Sequence, residues 1–522
     1  MIAALAVASA ASAAETFASA PVPRIGAAAL NGLFDGTSAA LAPAADAVPD
    51  PHGEILRAAS GNVPAIFHLS DAALAAATPD EKLAMLKTLL PIAVPSDNPW
   101  QSSIVRILAS ARDAASFDRV YYRLDPDRLA DSVSQPRSIQ DLVARSRADA
   151  KPGDWTGYLK YLDVVTGSKS GGKNIVQFLI DGPSAIPPVV AAIRGAQHSI
   201  HAEVFQLQAD EYGRAFVRDL AERAQKGVLV RLMIDDYGSD ADADPKVQEL
   251  IGSMKAQGIQ VLIHPAGFLA DHLDHRKVLV IDGDIAFTGG MNVGKLYQAE
   301  WHDEQTLVMG PAVAQLQDAF LSQWKALGGT VDPGEPLYPP LSDQAHGLEA
   351  RVVAHQGGGK DHNIKALYMR AIETAQKEIR IATPYFTDAA VIGALCDAAR
   401  RGVKVQIVLP ADNDVAIVQR GSRAFYPDLL AAGVEIYEYQ DRMAHEKVAV
   451  VDGNWSTFGS SNLDARSLTD NDELNVVVMG EDLANTINRQ LFDKDIAQSK
   501  RVVDFTPTWR EKLDRRLLGK KL

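Results

Sequence analysis

From about residue 174 onward, short apolar runs rich in β-branched residues alternate with longer stretches whose apolar residues recur at helical spacing. VLVRLMID (228–235) and VKVQIVLP (403–410) have the length of strands, and each follows a helical stretch that ends in glycine. Strands that alternate with helices are typical of a layered α/β fold. The pattern therefore predicts mixed sheets flanked by helices.

The two halves of this region repeat each other. AIRGAQHSI (192–200) matches AIETAQKEI (371–379), and KGVLVRLMI (226–234) matches RGVKVQIVL (401–409). The offset between the copies changes by a few residues, as insertions produce. A duplicated unit whose copies pack face to face places equivalent residues around one shared cleft, so we expect any site to be built from both copies.

The pattern divides the chain into four parts. Residues 1–50 are rich in Ala, Pro and Gly and read as a signal-like segment and linker, residues 51–170 as a helical region, residues 171–345 as the first repeat, and residues 346–522 as the second repeat with a basic C-terminal tail. The first 20 residues resemble a secretory signal without its basic start, which predicts export. No run of about 20 residues is apolar enough to span a bilayer.

Composition narrows the function classes. The chain has 52 Lys and Arg against 66 Asp and Glu, a formal net charge of −14, which argues against a general binder of nucleic acid. The single cysteine, Cys396, excludes a disulfide framework within the chain and a cysteine-rich zinc site. The tail from Lys500 to Leu522 is basic and holds apolar residues, so it fits either an anionic membrane surface or a solvated terminal helix.

The strongest chemical signal lies inside the repeat, where HRKVLVIDGDIAFTGGMN (275–292) aligns without gaps to HEKVAVVDGNWSTFGSSN (445–462). Five polar positions agree between the copies while several apolar positions have changed, which favours shared chemistry over shared packing. The agreeing positions are a histidine, a lysine, an aspartate, an asparagine and a later carboxylate. They are His275, Lys277, Asp282, Asn292 and Asp303 in the first copy and His445, Lys447, Asp452, Asn462 and Glu473 in the second.

These residue types suit a phosphate. His-x-Lys on a strand places the imidazole and the ammonium group on one face, and a turn followed by a second strand returns the asparagine to their side. Lysine and asparagine side chains can hold the non-bridging oxygens of a phosphoryl group. One histidine can attack phosphorus while the other gives a proton to the leaving oxygen. The later carboxylate can fix the tautomer of an imidazole.

The duplicated His-x-Lys-x₄-Asp motif resembles the phospholipase D superfamily, and its details resemble bacterial cardiolipin synthases. HRKVLVIDGDIAFTGGMNVGKLY and WHDEQTLVMGPAV look like the first motif of those enzymes, and HEKVAVVDG, GSSNLDARS and NDELNVVV look like the second. The likeness covers about residues 174–515. It implies two phospholipase D-like α/β repeats, a covalent phosphohistidine intermediate, and no metal or other cofactor in the reaction.

The resemblance also implies a role for each motif residue. His275 would be the nucleophile and His445 the acid and base. Asp282 and Asp452 belong to the motif of reacting residues, although we expect them to support strand ends. The phosphate-holding residues would be Lys277, Lys447, Asn292 and Asn462, and the residues that orient the histidines would be Asp303 and Glu473.

Several functions remain compatible with these residues. The resemblance favours a phosphatidyltransferase that acts on phospholipids, with phosphatidylglycerol as substrate, in an exported or periplasmic protein that contacts the membrane surface peripherally. Water as acceptor would make it a phospholipase D. A nuclease of the same superfamily and a degenerate relative that only binds phosphorylated lipids are the rival interpretations.

Three weaker features are interpreted as structural. GSKSGGKN (167–174) nearly matches a phosphate-binding loop, but a strand-like run follows it, so we expect a turn. HQGGGKDH (355–362) is interpreted as a loop that borders the cleft. Asp235 and Asp236 end a strand, where a solvated strand end is favoured over a cation site.

Overall fold

The computed structural model of the chain describes residues 150–265, 272–344, 346–358 and 362–511. The signal-like segment, most of the helical region at 51–170 and the end of the basic tail lie outside these residues. The part of that region that is described contains helix α1 (Trp155–Val165). Among the described helices, none combines the length and the apolar character needed to cross a bilayer.

The first repeat contains seven strands and five helices within the described residues. They are β1 (Lys173–Ile180), α2 (Asp181–Gly195), β2 (Ser199–Val204), α3 (Glu211–Gln225), β3 (Leu229–Asp235), α4 (Asp236–Ser239), α5 (Pro245–Ala256), β4 (Gln260–His264), β5 (Val278–Ile281), β6 (Ile285–Gly289), β7 (Glu304–Met309) and α6 (Ala312–Ala326). A π-helical turn at Leu296–Glu300 precedes β7.

The second repeat follows the same order and adds a C-terminal extension. Its elements are β8 (Leu348–His355), α7 (Asn363–Thr374), β9 (Glu378–Ala382), α8 (Ala389–Arg400), β10 (Lys404–Pro410), α9 (Ala416–Arg423), α10 (Tyr426–Ala432), β11 (Glu435–Tyr439), β12 (Val448–Val451), β13 (Trp455–Gly459), β14 (Glu473–Met479), α11 (Glu481–Ile487), α12 (Asp493–Gln498) and β15 (Ser499–Val502). π-helical turns lie at Arg466–Asp470 and Asn488–Phe492. The predicted basic tail therefore begins in strand β15.

The described strands form one sheet in the order β15-β11-β10-β9-β12-β13-β14-β8-β1-β7-β6-β5-β2-β3-β4. Strands β2, β3 and β4 are parallel, as are β9, β10 and β11, whereas the pairs nearer the middle are antiparallel. The halves join where β1 and β8 pair through only two residues each. The predicted α/β class with a mixed sheet is confirmed.

Each repeat has a buried apolar cluster of its own, and a further cluster lies where the two halves meet. One buried cluster draws on β5 and β7 of the first repeat and on β8, β12 and β14 of the second, together with residues of α6 and α11. All four residues of β5 and all four of β12 are buried. Strands that are buried on both faces read as continuous apolar runs, which is why VLVI and VAVV follow the motif lysines. This packing fixes the segments that precede both strands.

The motif aspartates anchor turns at the far ends of these two strands. Asp282 follows β5 with a left-handed φ of 52° and accepts the backbone N–H groups of residues 197–199 at 2.7 to 2.9 Å. Asp452 follows β12 with a φ of 54° and accepts the N–H groups of residues 376–378. A strand rises about 3.3 Å per residue, so Asp282 lies roughly 15 Å from Lys277. Both aspartates therefore hold backbone N–H groups at the ends of strands.

Asp282→Ala is expected to lower the free energy of unfolding by about 2 kcal/mol or more, because three backbone N–H groups lose a charged acceptor. Urea denaturation measures this change, and kcat per folded molecule should stay within about twofold of wild type. The matched control is Asp284→Ala, an exposed aspartate in the same turn. A large loss of kcat at unchanged stability would return Asp282 to the reacting residues.

Candidate active site

The two His-x-Lys segments lie directly before strands β5 and β12, and not within the strands as predicted. Each segment pairs its backbone with the other repeat. The N–H of His275 donates to the carbonyl of Asp472 at 3.0 Å, and the N–H of His445 donates to the carbonyl of His302 at 2.7 Å. Both motifs are therefore held at the junction of the repeats.

Each motif imidazole is hydrogen-bonded to a carboxylate of the opposite repeat. His275 Nδ1 lies 2.9 and 3.1 Å from the two carboxylate oxygens of Glu473. His445 Nδ1 lies 2.7 Å from Asp303 Oδ2. Sequence reasoning identified all four residues, but not this crossed pairing. Because of it, neither half-site is complete without both repeats.

The two motif lysines are buried beside the imidazoles. Lys277 Nζ donates to the backbone carbonyl of His275 at 2.5 Å. Lys447 Nζ donates to the carbonyl of His445 and lies 3.1 Å from both of its ring nitrogens. Both lysines are at most 2% exposed. The structure thus gathers two imidazoles, two ammonium groups and two carboxylates into one buried cluster.

The motif asparagines occupy the turns that follow β6 and β13. Asn292 accepts the backbone N–H of Gln206 at 3.0 Å, and with Lys277 it lines a small cavity of about 50 Å³. Asn462 lies in the equivalent turn, where its amide group is 3.4 Å from the Ser467 hydroxyl. Both asparagines are buried. Asn292 and Lys277 therefore line the same cavity. The sequence predicted that the strand after the turn brings the asparagine to the side of the lysine.

The two carboxylates are accommodated differently, and sequence reasoning missed this. A Cβ atom at Gly290 would lie 2.1 Å from Asp303 Oδ1, so the glycine leaves room for the carboxylate. At the equivalent position of the second repeat the Ser460 hydroxyl donates a hydrogen bond to Glu473. The signal was present in the change from GGMN to GSSN. Ser460 is an additional positioning residue for the carboxylate that holds His275.

Aromatic side chains form walls around both imidazoles. The ring of Phe205 lies edge-on to the first-motif imidazole at 4.8 Å between centroids and 5.1 Å from the Lys277 ammonium group. Tyr297 and Trp301 lie 5.3 and 5.0 Å from the ring of His445. These residues exclude water from the imidazoles, which strengthens the charge interactions within the cluster.

Burial sets the protonation of the cluster. Burial and the neighbouring ammonium group lower the pKa of His445 to about 3, and burial also lowers the pKa of His275. Burial alone would raise the pKa values of Asp303 and Glu473, but the imidazoles and ammonium groups beside them hold both below their usual range. Each neutral imidazole then donates Nδ1–H to a carboxylate, so Nε2 carries no proton and can accept one or attack. In His445 this Nε2 faces Lys447 Nζ at 3.1 Å.

The charges behind the two half-sites are reversed. Arg276, between the first histidine and lysine, lies 3.8 Å from Asp472 of the second repeat. The equivalent positions hold Glu446 and His302, and two further carboxylates lie 2.9 and 3.1 Å from the His302 ring. Burial would lower the pKa of His302, but Glu446 and these two carboxylates raise it to about 12. The half-sites therefore share their reacting groups but differ in the charges behind them.

Comparison with known proteins places the whole arrangement in a family. The family model described as "Cardiolipin synthase, PLD-like domain" matches residues 189–324 and 368–496, once in each repeat. The cardiolipin synthase of Geobacillus kaustophilus is 34% identical over 60% of this chain and 65% of its own length. Cardiolipin synthase A of Pseudomonas aeruginosa is 32% identical over 69% of this chain and 74% of its own. The chain thus spans about two thirds of the length of the first of these relatives.

Among solved structures, phosphatidylserine synthase of Haemophilus influenzae is similar with a TM-score of 0.52 and 14% identity, covering 69% of this chain and 96% of that one. This likeness concerns the fold alone. The family model, by contrast, covers both copies of the motif and the strands that carry them. The chain belongs to the phospholipase D-like family of cardiolipin synthases.

Proposed function

We propose that the protein transfers a phosphatidyl group through a covalent phosphohistidine intermediate, with the glycerol end of phosphatidylglycerol as the acceptor. The observation that carries the proposal is the buried cluster in which each imidazole holds its Nδ1 against a carboxylate of the other repeat. Two ammonium groups complete a site for one phosphodiester. The relatives named cardiolipin synthase support a phospholipid substrate.

In the first step, Nε2 of His275 attacks phosphorus, and the bond between phosphorus and the leaving alcohol oxygen breaks. His445 donates a proton to that oxygen. A bound phosphodiester anion raises the pKa of a nearby imidazole, so His445 can carry this proton once substrate is bound. In the second step, His445 removes the proton of the acceptor hydroxyl, whose oxygen attacks phosphorus and releases His275.

The remaining roles follow from position. Lys277 and Lys447 hold the non-bridging oxygens, and Asn292 and Asn462 complete the phosphate site. The orienting carboxylates act through the imidazoles and do not touch the substrate. If the protein is exported, a location in the periplasm on the membrane surface fits a lipid substrate.

The acceptor is tested by mass spectrometry of products from vesicles of phosphatidylglycerol. Cardiolipin and free glycerol in equal amounts are the expected products. Phosphatidic acid in place of cardiolipin, again with free glycerol, would make water the acceptor and the protein a phospholipase D. A parallel digestion of DNA, with no lipid turnover, would favour the nuclease. The His275→Ala, His445→Ala double variant serves as the blank.

The pH dependence of kcat/KM is expected to fall above about pH 7, because burial lowers the pKa of Lys277 to about 7 in the free enzyme. Below that pH the lysine is a cation and can bind phosphate; above it the charge is lost. Bound phosphate stabilises the cation, so kcat should fall only at a higher pH. Profiles from pH 5 to 9 on a soluble phosphodiester measure both. Lys277→Arg should abolish the fall of kcat/KM above pH 7, because arginine keeps its charge there. An unchanged fall in that variant would exclude Lys277 as its origin.

A further inference from the structure

A second cluster of chemically active side chains lies outside the reacting groups. His264 and His272 come from the first repeat and Asp472 from the second, and one donor atom from each lies within 4.8 Å of the others. His272 Nε2 is 3.3 Å from Asp472 Oδ2, and His264 Nε2 is 3.8 Å from the same oxygen. We propose that these three side chains bind a divalent transition-metal ion of the zinc class.

The donor set and its dimensions suit such an ion. Zinc binds imidazole nitrogen and carboxylate oxygen at about 2.0–2.2 Å in tetrahedral geometry, which places neighbouring donor atoms roughly 3.3–3.5 Å apart. Two histidines and one carboxylate leave a fourth position for water. The side chain of His272 is 28% exposed, which provides a route of entry from solvent. Imidazole donors favour zinc over magnesium or calcium, which prefer oxygen.

The donors are supported by a second layer of contacts. Asp235 Oδ2 lies 3.3 Å from His264 Nδ1, an arrangement that directs Nε2 of the imidazole toward Asp472. Asp235 is fully buried, so its interpretation as a solvated strand end is wrong. Asp472 accepts the N–H of Gly357 at 2.8 Å and the side-chain amide of Gln323 at 3.1 Å. Such contacts orient metal ligands in known sites.

Residues 355–358, the described part of the glycine loop, have no role in the proposed reaction and close one side of the cluster. A Cβ atom at Gly357 would lie 2.6 Å from the Cβ of His272 and 2.1 Å from the carbonyl oxygen of Asp470. Only a glycine allows the loop to approach His272 this closely while its N–H reaches Asp472. The glycine thus brings a ligand of each repeat into reach of one ion.

The ion would join the repeats directly behind one half of the cleft. Asp472 precedes the carboxylate that orients His275, and the Asp472 carbonyl accepts the His275 N–H at 3.0 Å. The equivalent position in the other half is His302, which two carboxylates hold through ion pairs. One junction would therefore be held by ion pairs and the other by a metal ion.

Zinc binding by the purified full-length chain tests the proposal without reference to activity. After treatment with a chelator, the protein is dialysed against Zn²⁺ and its metal content is measured by mass spectrometry. We expect about one ion per chain, and at least a tenfold loss of affinity in His264→Ala and in His272→Gln. His198→Ala, which changes an exposed histidine outside the cluster, should bind like wild type. Excess Mg²⁺ should not displace the ion.

Zinc should also raise the thermal unfolding midpoint of wild type and of His198→Ala, but not of the two cluster variants, whose folding circular dichroism checks. Absence of bound zinc in wild type would overturn the proposal. The cluster would then be held by the contacts of the two imidazoles with Asp472 and without a metal ion. Equal zinc content in wild type and in the cluster variants would overturn it as well, because the ion would then bind elsewhere.

Discussion

His275→Ala is expected to lower kcat for phosphatidyl transfer by roughly 10⁴-fold or more, because the variant lacks the imidazole that forms the covalent bond to phosphorus. His445→Ala should cause a similar loss with natural lipid, since the leaving glycerol oxygen needs its proton. Both losses are measured as product formed per folded enzyme. His198→Ala, an exposed histidine, should retain wild-type turnover.

A substrate with a good leaving group separates the two roles. p-Nitrophenolate leaves without a proton, so His445→Ala should release one equivalent of it in a burst and accumulate phosphohistidine. His275→Ala should give neither burst nor phosphohistidine. The opposite result would exchange the roles of the two residues. Turnover that survives in the double variant would defeat the assignment of both.

Local pattern was enough to predict much of the fold. The runs at 228–235 and 403–410 match β3 and β10 almost to the residue, since a strand buried on both faces leaves a continuous apolar run. The single sheet was not predicted, because β1 and β8 pair through only two residues each and no sequence pattern marks that contact. The start of β5 after Lys277 was also missed, since extended chain before a strand carries the same residues as the strand itself.

Duplication identified the polar residues of the site but not their partners. Which carboxylate meets which imidazole depends on how the halves pack, and that is a long-range property. Phe205 and Trp301 were missed because aromatic residues beside a site look like core residues in a sequence. The burial of Asp235 was missed for a related reason, since its partner His264 ends the neighbouring parallel strand β4.

Asp303→Asn and Glu473→Gln are expected to lower kcat by about 10²–10⁴-fold each, with small changes in stability. An amide can donate to Nδ1 of the imidazole, which moves the ring proton to Nε2 and blocks the nitrogen that must attack or accept a proton. The change nearly preserves shape, so the loss reports orientation and tautomer. Glu481→Gln, an exposed carboxylate at the start of α11, is the matched control and should retain wild-type kcat.

The crossed pairing predicts which variants are redundant. Glu473 is hydrogen-bonded to His275. Glu473→Gln should therefore lower kcat little further when it is added to His275→Ala. When it is added to His445→Ala, it should lower the residual kcat by as much as it does in the wild type. With the p-nitrophenyl substrate, Asp303→Asn should keep the burst, as His445→Ala does, whereas Glu473→Gln should suppress it. Pairing within each repeat would reverse both results. Because each carboxylate reaches its imidazole only across the junction, that reversal would show that the repeats do not share a single catalytic cleft.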